Sequence, residues 1–160
     1  MFIIAPERTR ELDRLQKYLD KLGQPYRVFV TNLETDLDQQ TESLATFFTQ
    51  KDPASKVGKP LFFNDLAVPE LWECWTLGIT TYLFVGEERR ANVVLREDIL
   101  SRTVDRVEWF GQGEEIVSID VYNRYGWRSK RSLLTEAGQS YLDIYLNRQQ
   151  EEVMLHFVSQ

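Results

Sequence analysis

The sequence predicts an α+β fold in which a small N-terminal strand–helix–strand–helix piece is followed by an extended antiparallel β-meander. Up to about residue 56, short β-prone runs alternate with a helical spacing of apolar residues. From about residue 57 onward that spacing disappears, and short runs rich in Val, Ile, Tyr, Phe and Trp recur between turns that contain Gly or Asn. A chain of 160 residues is long enough to bury a core of its own.

The N-terminal elements follow from periodicity and from stop signals. Phe2–Ala5 is a short apolar run closed by Pro6, which predicts a strand. Apolar residues at spacings of three and four predict a helix over Glu7–Leu22, which Gly23 and Pro25 end. The remaining elements of residues 1–57 are a strand over Tyr26–Val30, a helix over Gln39–Thr49 and a loop over Lys51–Lys56.

Residues 58–160 are predicted to form the meander. Short turns at residues 111–113, 123–126, 135–138 and 147–150 can join only antiparallel neighbours. The predicted strands are Leu61–Phe63, Trp72–Trp75, Thr80–Val85, Asn92–Leu95, Arg106–Phe110, Ile116–Tyr122, Arg128–Leu134, Tyr141–Leu146 and Val153–Val158.

Two of these strands alternate between apolar and other residues. One has Val117, Ile119 and Val121 on one side, and the other has Leu142, Ile144 and Leu146. The intervening positions are polar or aromatic, which predicts one apolar face and one mixed face for the whole sheet. Such an open sheet is expected to leave part of its surface for a partner.

Charge and composition exclude several classes of function. With 19 basic and 25 acidic residues the net charge is −6, so the chain is not expected to bind nucleic acid. A single cysteine, Cys74, excludes an intramolecular disulfide and fits the cytoplasm. No apolar run approaches the roughly 20 residues that span a bilayer, and the N-terminus lacks the pattern of a signal peptide. We expect a soluble, cytoplasmic protein with at most peripheral membrane association.

The search for catalytic chemistry yields no catalytic residue, metal or cofactor. There is no phosphate-binding glycine loop, and Cys74 and the single histidine, His156, are far apart in the sequence. The Asp36–Leu–Asp38 pair matches the D-x-D pattern with which some glycosyltransferases hold a metal-bound nucleotide sugar. The pair also precedes a predicted helix, where aspartate is favoured as a cap, and this second interpretation is preferred.

Residues 124–131 form the one clear charge anomaly, with four basic residues, two aromatic residues and no acid. Arginine beside aromatic rings suits a phosphate polymer, a sugar face or single-stranded nucleic acid, and thus an acceptor or partner surface. The alternative is an exposed hairpin whose charges protect a sheet edge from aggregation. Tryptophans on strands, Trp72, Trp75 and Trp109, are expected in the core or at an interface, with sugar stacking as the alternative. The candidate acceptor- or partner-binding residues are Trp72, Glu73, Trp75, Tyr122, Arg124, Tyr125, Trp127, Arg128, Lys130 and Arg131.

Three stretches together resemble a known family. They are residues 58–73, which contain Val-Pro-Glu-Leu-Trp-Glu, residues 106–110, Arg-Val-Glu-Trp-Phe, and residues 120–126, Asp-Val-Tyr-Asn-Arg-Tyr-Gly. The order and spacing resemble the N-terminal part of the accessory Sec system glycosylation chaperone, over about residues 58–157. That family supplies the non-catalytic, stabilising subunit of the transferase that adds N-acetylglucosamine to Ser/Thr of serine-rich repeat adhesins.

The resemblance implies a catalytic glycosyltransferase subunit and a Ser/Thr-rich adhesin polypeptide as partners. It also implies Rossmann-like lobes that this chain lacks, so no catalytic residue is carried over. Trp72, Glu73, Tyr122, Asn123, Arg124 and Gly126 map onto the family motifs, with an expected architectural role for the tryptophan and the turn. Two alternatives stay open, a sheet hub of a teichoic-acid glycosyltransferase and a purely structural, self-associating module.

Overall fold

The computed structural model describes residues 1–97 and 102–158, and its first part is a small α/β unit. Three parallel strands lie side by side in chain order, so that the second strand pairs with both others. The first helix packs on this sheet around a core that includes Leu12, Leu19 and Val28. The elements are β1 (Phe2–Ala5), α1 (Arg10–Lys21), β2 (Arg27–Val30), β3 (Thr41–Ser43) and α2 (Leu44–Thr49).

Helix α1 is shorter than its predicted range at the N-terminal end. The side chain of Thr9 accepts a hydrogen bond from the backbone N–H of Leu12, so the helix begins after this cap rather than at Glu7. Its C-terminal end lies where predicted, because Gly23 takes the left-handed conformation. The apolar stripe that predicted the helix therefore faces the core at Leu12 and Leu19.

The predicted helix over Gln39–Thr49 is wrong in its first half, which forms β3 instead. Thr41 pairs with Val28 of β2, and Ser43 pairs with Val30. Helix α2 then starts at a capping box, in which Ser43 and Thr46 exchange side chain to backbone hydrogen bonds. Tertiary pairing to β2 thus overrides a local sequence that is compatible with a helix.

The second part is an eight-stranded antiparallel sheet whose strands are neighbours in chain order, as predicted for a meander. The 8-stranded sheet, the small parallel sheet and the two helices confirm the α+β fold class. The strands are β4 (Glu73–Leu77), β5 (Thr80–Val85), β6 (Glu88–Leu95), β7 (Val104–Phe110), β8 (Ile116–Tyr122), β9 (Arg128–Leu134), β10 (Ser140–Leu146) and β11 (Glu152–Phe157).

The predicted strand over Leu61–Phe63 is wrong, because residues 58–72 cross one face of the sheet as a covering segment. Phe62 makes a single bridge to Thr103, and a short 3-10 helix follows at Phe63–Asp65. The apolar side chains of the segment, including Leu61 and Trp72, pack on a core under strands β5–β7. This segment therefore uses its apolar residues to close the core rather than to extend the sheet.

The two alternating apolar rows do not lie on one face, so that expectation is wrong. Ile119 lies opposite Ser132, which lies opposite Asp143. Ile144 in turn lies opposite Arg131, which pairs with Asp120. Since directly paired residues share a face, Ile119 and Ile144 point to opposite sides of the sheet.

None of the helices in the described ranges, 1–97 and 102–158, has the length and apolar character needed to cross a membrane.

Candidate functional site

The turn between β8 and β9 is held by a buried asparagine. The side-chain oxygen of Asn123 accepts hydrogen bonds from the backbone N–H groups of Tyr125 and Trp127, at 3.1 and 3.4 Å. The N–H of Gly126 donates to the carbonyl of Asn123 at 3.1 Å, and Gly126 has a φ of +87°. The Tyr-Asn-Arg-Tyr-Gly motif therefore forms a turn, as its architectural interpretation expected.

This turn packs tightly against the start of the covering segment. A Cβ atom on Gly126 would collide with the backbone carbonyl of Lys59, and one on Gly58 would collide with that of Tyr125. Two stretches of backbone therefore approach each other across a pair of glycines. The Gly-Lys-Pro start of the first motif and the Tyr-Gly end of the third motif are thus one structural feature, although they are more than sixty residues apart.

Asp36 connects the turn to the N-terminal unit. Its carboxylate accepts from Arg96 Nη1 at 2.6 Å and from the backbone N–H and Nε of Arg124 at 2.7 and 3.2 Å. Arg124 Nη2 also donates to the backbone carbonyl of Asp36 at 3.0 Å. Burial by itself would raise the pKa of Asp36, but the hydrogen bond and charge of Arg96, together with Arg124, outweigh it and lower the pKa below its usual value.

Two further contacts join the same elements. The indole Nε1 of the buried Trp127 donates to the carbonyl of Ser55 at 3.2 Å. The hydroxyls of Thr35 and Ser129 lie 2.7 Å apart, and both residues are buried. We call these contacts, with those of Asp36, the joint, because they fix the N-terminal unit on the β8–β9 end of the sheet.

Asp120 forms a second charged cluster, on the face that carries Ile144. The Asp120 side chain is only 2% exposed, and Arg131 binds it through two nitrogens at 2.6 and 2.7 Å. Arg128 Nη1 and the indole of Trp109 also donate to it, at 3.2 and 2.9 Å. Burial opposes ionisation, but the hydrogen bond and charge of Arg131 and the charge of Arg128 lower the pKa of Asp120.

The basic residues predicted to bind a partner therefore face carboxylates of their own chain. Arg124 pairs with Asp36, while Arg128 and Arg131 pair with Asp120. Lys130 lies 4.0 Å from Asp143. An arginine that already shares a buried carboxylate has less to gain from an external phosphate, so this geometry favours a structural role for the charge anomaly.

The aromatic candidates divide into packed and exposed residues. Trp72 meets Trp109 edge to face at 6.4 Å, as expected for a core tryptophan, and Tyr122 packs beside the same core. Trp75 on β4 is 64% exposed and contacts Phe84 at 6.1 Å. Its indole donates to the exposed carboxylate of Glu73 at 3.4 Å. Trp75 and Glu73 are therefore candidates with a free surface.

Beside Trp75, on the adjacent strands, lies a cation–π group that the sequence does not predict. The guanidinium of Arg89 stacks on the rings of Tyr82 and Phe110, at 4.7 and 4.5 Å. The three residues belong to three strands, so no local spacing predicts them. Arg96 was missed for the same reason, because its partner Asp36 is sixty residues away.

The role of Asp36 differs from both interpretations of the D-x-D pair. Asp36 binds two arginines, and Asp38 accepts a hydrogen bond from the N–H of Gln40. Helix α2 is capped by Ser43 rather than by either aspartate. Within residues 1–97 and 102–158, no group of three or more His, Cys, Asp or Glu side chains is placed to hold a metal ion.

Residues 72–160 match the family model described as the GtfB middle domain, which is more than half of the chain. This chain belongs to the GtfB family. The resemblance carried by the three sequence motifs is thereby confirmed. The matched range begins at Trp72 and takes in all eight strands of the large sheet.

Two curated GtfB relatives are UDP-N-acetylglucosamine–peptide N-acetylglucosaminyltransferase stabilizing proteins. The protein from Streptococcus agalactiae is 28% identical over 126 residues, which cover 79% of this chain and 28% of the relative. The protein from Streptococcus parasanguinis is 28% identical over 146 residues, covering 91% of this chain and 33% of the relative. The chain thus spans about a third of the length of these relatives.

The fold is similar to that of a solved complex. A chain in the crystal structure of a GtfA/B complex bound to UDP and GlcNAc superposes with a TM-score of 0.83 at 20% identity, covering 98% of this chain and 35% of that one. A chain of the Gap123 glycosylation-associated complex from Streptococcus agalactiae gives a TM-score of 0.78 at 15% identity, covering 99% and 37%. At these identities the likeness concerns the fold.

Proposed function

We propose that this GtfB-family chain is the sheet-bearing part of a non-catalytic subunit that stabilises a UDP-N-acetylglucosamine–peptide N-acetylglucosaminyltransferase. The observation that carries the proposal is the match of residues 72–160 to the GtfB middle domain. Curated relatives that align with most of this chain are named as stabilising proteins of that transferase. The system is a cytoplasmic, accessory Sec-type glycosylation system, and the remainder of the subunit is made of Rossmann-like lobes.

The sheet offers the transferase subunit a docking surface. On the face that carries Ile144, the outer strands present an apolar row in which Leu142 pairs with Phe157 and Ile144 pairs with Leu155. Phe157 is 72% exposed and Leu155 is 53% exposed. When a partner covers apolar side chains that are paired across strands and open to solvent, their removal from water stabilises the complex. A stabilising subunit needs such a surface, and we assign it to the transferase.

The second activity is to help hold the Ser/Thr-rich adhesin acceptor. Such a polypeptide has little apolar area and loses much entropy on ordering, so each contact is weak. Trp75 and Glu73 are the acceptor contacts that lie in the open, with Tyr125 half-buried at the turn. Of the other candidates, Arg124 and Trp127 belong to the joint, and Arg128 and Arg131 belong to the Asp120 cluster.

The experiment is co-expression of the intact protein with its transferase subunit, followed by affinity purification and thermal unfolding of the transferase. Co-purification and a higher unfolding midpoint for the transferase are expected. A titration of the complex with a serine-rich peptide then follows tryptophan fluorescence, for which the exposed Trp75 is a reporter. Absence of co-purification contradicts the stabilising function, and absence of peptide binding contradicts acceptor binding alone.

A further inference from the structure

Strand β4 is an open edge of the large sheet. It is the terminal strand in the sheet order, and among residues 1–97 and 102–158 it pairs with β5 alone. All five of its residues are exposed. A terminal strand in this position presents backbone donors and acceptors along its outer side, which a further strand can use.

The register shows which backbone groups point outward. Leu77 and Thr80 flank the two-residue turn Gly78–Ile79, so in a tight antiparallel hairpin they form a hydrogen-bonded pair. Pairing alternates along the ladder, so Trp75 is also bonded to β5. The intervening residues, Cys74 and Thr76, direct their N–H and C=O groups to the free edge.

The edge lacks the features that usually protect such strands. Lysine, proline and β-bulges keep an edge from pairing with other chains. Residues 73–77 are Glu-Cys-Trp-Thr-Leu, with no lysine or proline, and their register with β5 runs without a bulge. The opposite terminal strand, β11, differs from it by a register shift at Tyr145/Leu146. Of the two terminal strands, β4 is the one prepared for pairing.

We infer that β4 binds an extended, hydroxyl-rich segment of the acceptor polypeptide as an additional strand, which rests on the acceptor binding proposed above. Main-chain hydrogen bonds to Cys74 and Thr76 hold the segment without regard to its sequence, which suits low-complexity repeats. The hydroxyl of Thr76 already lies 2.9 Å from that of Thr81. A serine or threonine opposite Thr76 continues this row of hydroxyls, while alternate residues of the segment lie against Trp75 and Leu77.

The size of the edge favours this occupant over a second copy of the chain. Five residues at about 3.4 Å each span about 17 Å. An edge of that length is too short to bury the roughly 1,600 Å² of a stable protein–protein interface. A weak contact is sufficient for a repetitive polymer, because many equivalent segments raise the chance of rebinding.

The test compares Thr76→Pro with Thr76→Ala in the intact protein bound to its transferase subunit. Proline removes the outward N–H without breaking a bond to β5, whereas alanine removes the hydroxyl and keeps the N–H. With a synthetic serine–threonine repeat peptide as the probe, Thr76→Pro is expected to bind about five-fold more weakly than wild type. Thr76→Ala is expected to change the affinity by about two-fold or less.

Cys74 gives an independent measurement, because it is exposed and is the single cysteine of these 160 residues, and peptide mapping separates its alkylation from that of any cysteine elsewhere in the complex. In the wild type, bound peptide is expected to slow the alkylation of Cys74 by a bulky maleimide. At the same peptide concentration, no such slowing is expected in Thr76→Pro. An unchanged affinity in Thr76→Pro, or an equal loss in both variants, overturns the inference while acceptor binding stands. If the protein dimerises without peptide and Thr76→Pro dissociates that dimer, the edge binds a second copy, and this result also overturns the inference. A wild-type complex that binds no peptide refutes the proposed acceptor function itself.

Discussion

Asp36 is one of the residues that connect the N-terminal unit to the sheet, because its carboxylate accepts from Arg96 and from two groups of Arg124. Its side chain is 25% exposed, so solvent screens these contacts only in part. Removing this carboxylate leaves Arg96 and Arg124 without their negative partner, which destabilises the fold by more than the loss of an exposed ion pair does.

We predict that Asp36→Asn lowers the free energy of unfolding at pH 7 by about 2 kcal/mol. Because the pKa of Asp36 is lowered in the folded protein, its contribution is present above the unfolded pKa and is lost as the pH falls through the folded pKa. The difference between wild type and variant should therefore shrink below about pH 4. Urea unfolding at several pH values measures it, and a difference that persists at low pH contradicts the assignment.

The matched control is Asp38→Asn, two residues away. Asp38 contacts Arg8 at 3.9 Å and accepts from the N–H of Gln40. An asparagine oxygen can still accept that hydrogen bond, so the control is expected to change stability by about 0.5 kcal/mol or less.

The arginines of residues 124–131 give a second prediction at this scale. Since they are paired with Asp36 and Asp120, we expect no strong binding of polyglycerol phosphate. Any residual affinity should change little between about 50 and 200 mM salt, since few counterions are released. Calorimetric titration at both salt concentrations measures this. Tight binding with a steep salt dependence would instead favour the teichoic-acid alternative.

At the scale of elements, the β8–β9 turn and the covering segment depend on each other. Gly126→Ala places a methyl group against the carbonyl of Lys59 and forces a non-glycine residue to a φ of +87°. Gly138→Ala is the control, since its φ is +76° and, apart from its chain neighbours, no atom of the described residues lies within 4 Å of the added atom. We expect the control to cost about 1 kcal/mol and Gly126→Ala to cost about 2 kcal/mol more. Thermal unfolding of both variants measures the difference, and equal losses would contradict the close approach.

The strands show which features of the fold can be predicted from the sequence. Strands β5, β8 and β9 have their predicted bounds, because turn residues and β-prone runs mark strand ends locally. The side of the sheet to which each side chain points could not be predicted, because a register shift of one residue exchanges the two sides. Bulges such as that at Val121/Tyr122 introduce such shifts. The partners of Arg124 and Arg131 could not be predicted either, because the pairing of β8 with β9 and the packing of the N-terminal unit on the sheet determine them.

At the scale of the whole molecule, the apolar row on β10–β11 should control assembly with the transferase. We predict that Phe157→Ser reduces co-purification about ten-fold while leaving the unfolding midpoint within about 2 °C, because the side chain is exposed. Val117→Ser is the control, an exposed apolar residue that shares the other face with Ile119. Quantitative pull-down with both variants measures this, and equal effects would contradict the assignment to one face.

The chain order of the eight strands has a consequence for synthesis on the ribosome. Each strand of the sheet after β4 pairs with the strand made just before it, so pairing requires only short loops to close. The sheet can therefore grow one hairpin at a time as the polypeptide emerges, with β4 paired first. During translation the newest strand is always a temporary edge, whereas the outer side of β4 is exposed from the beginning.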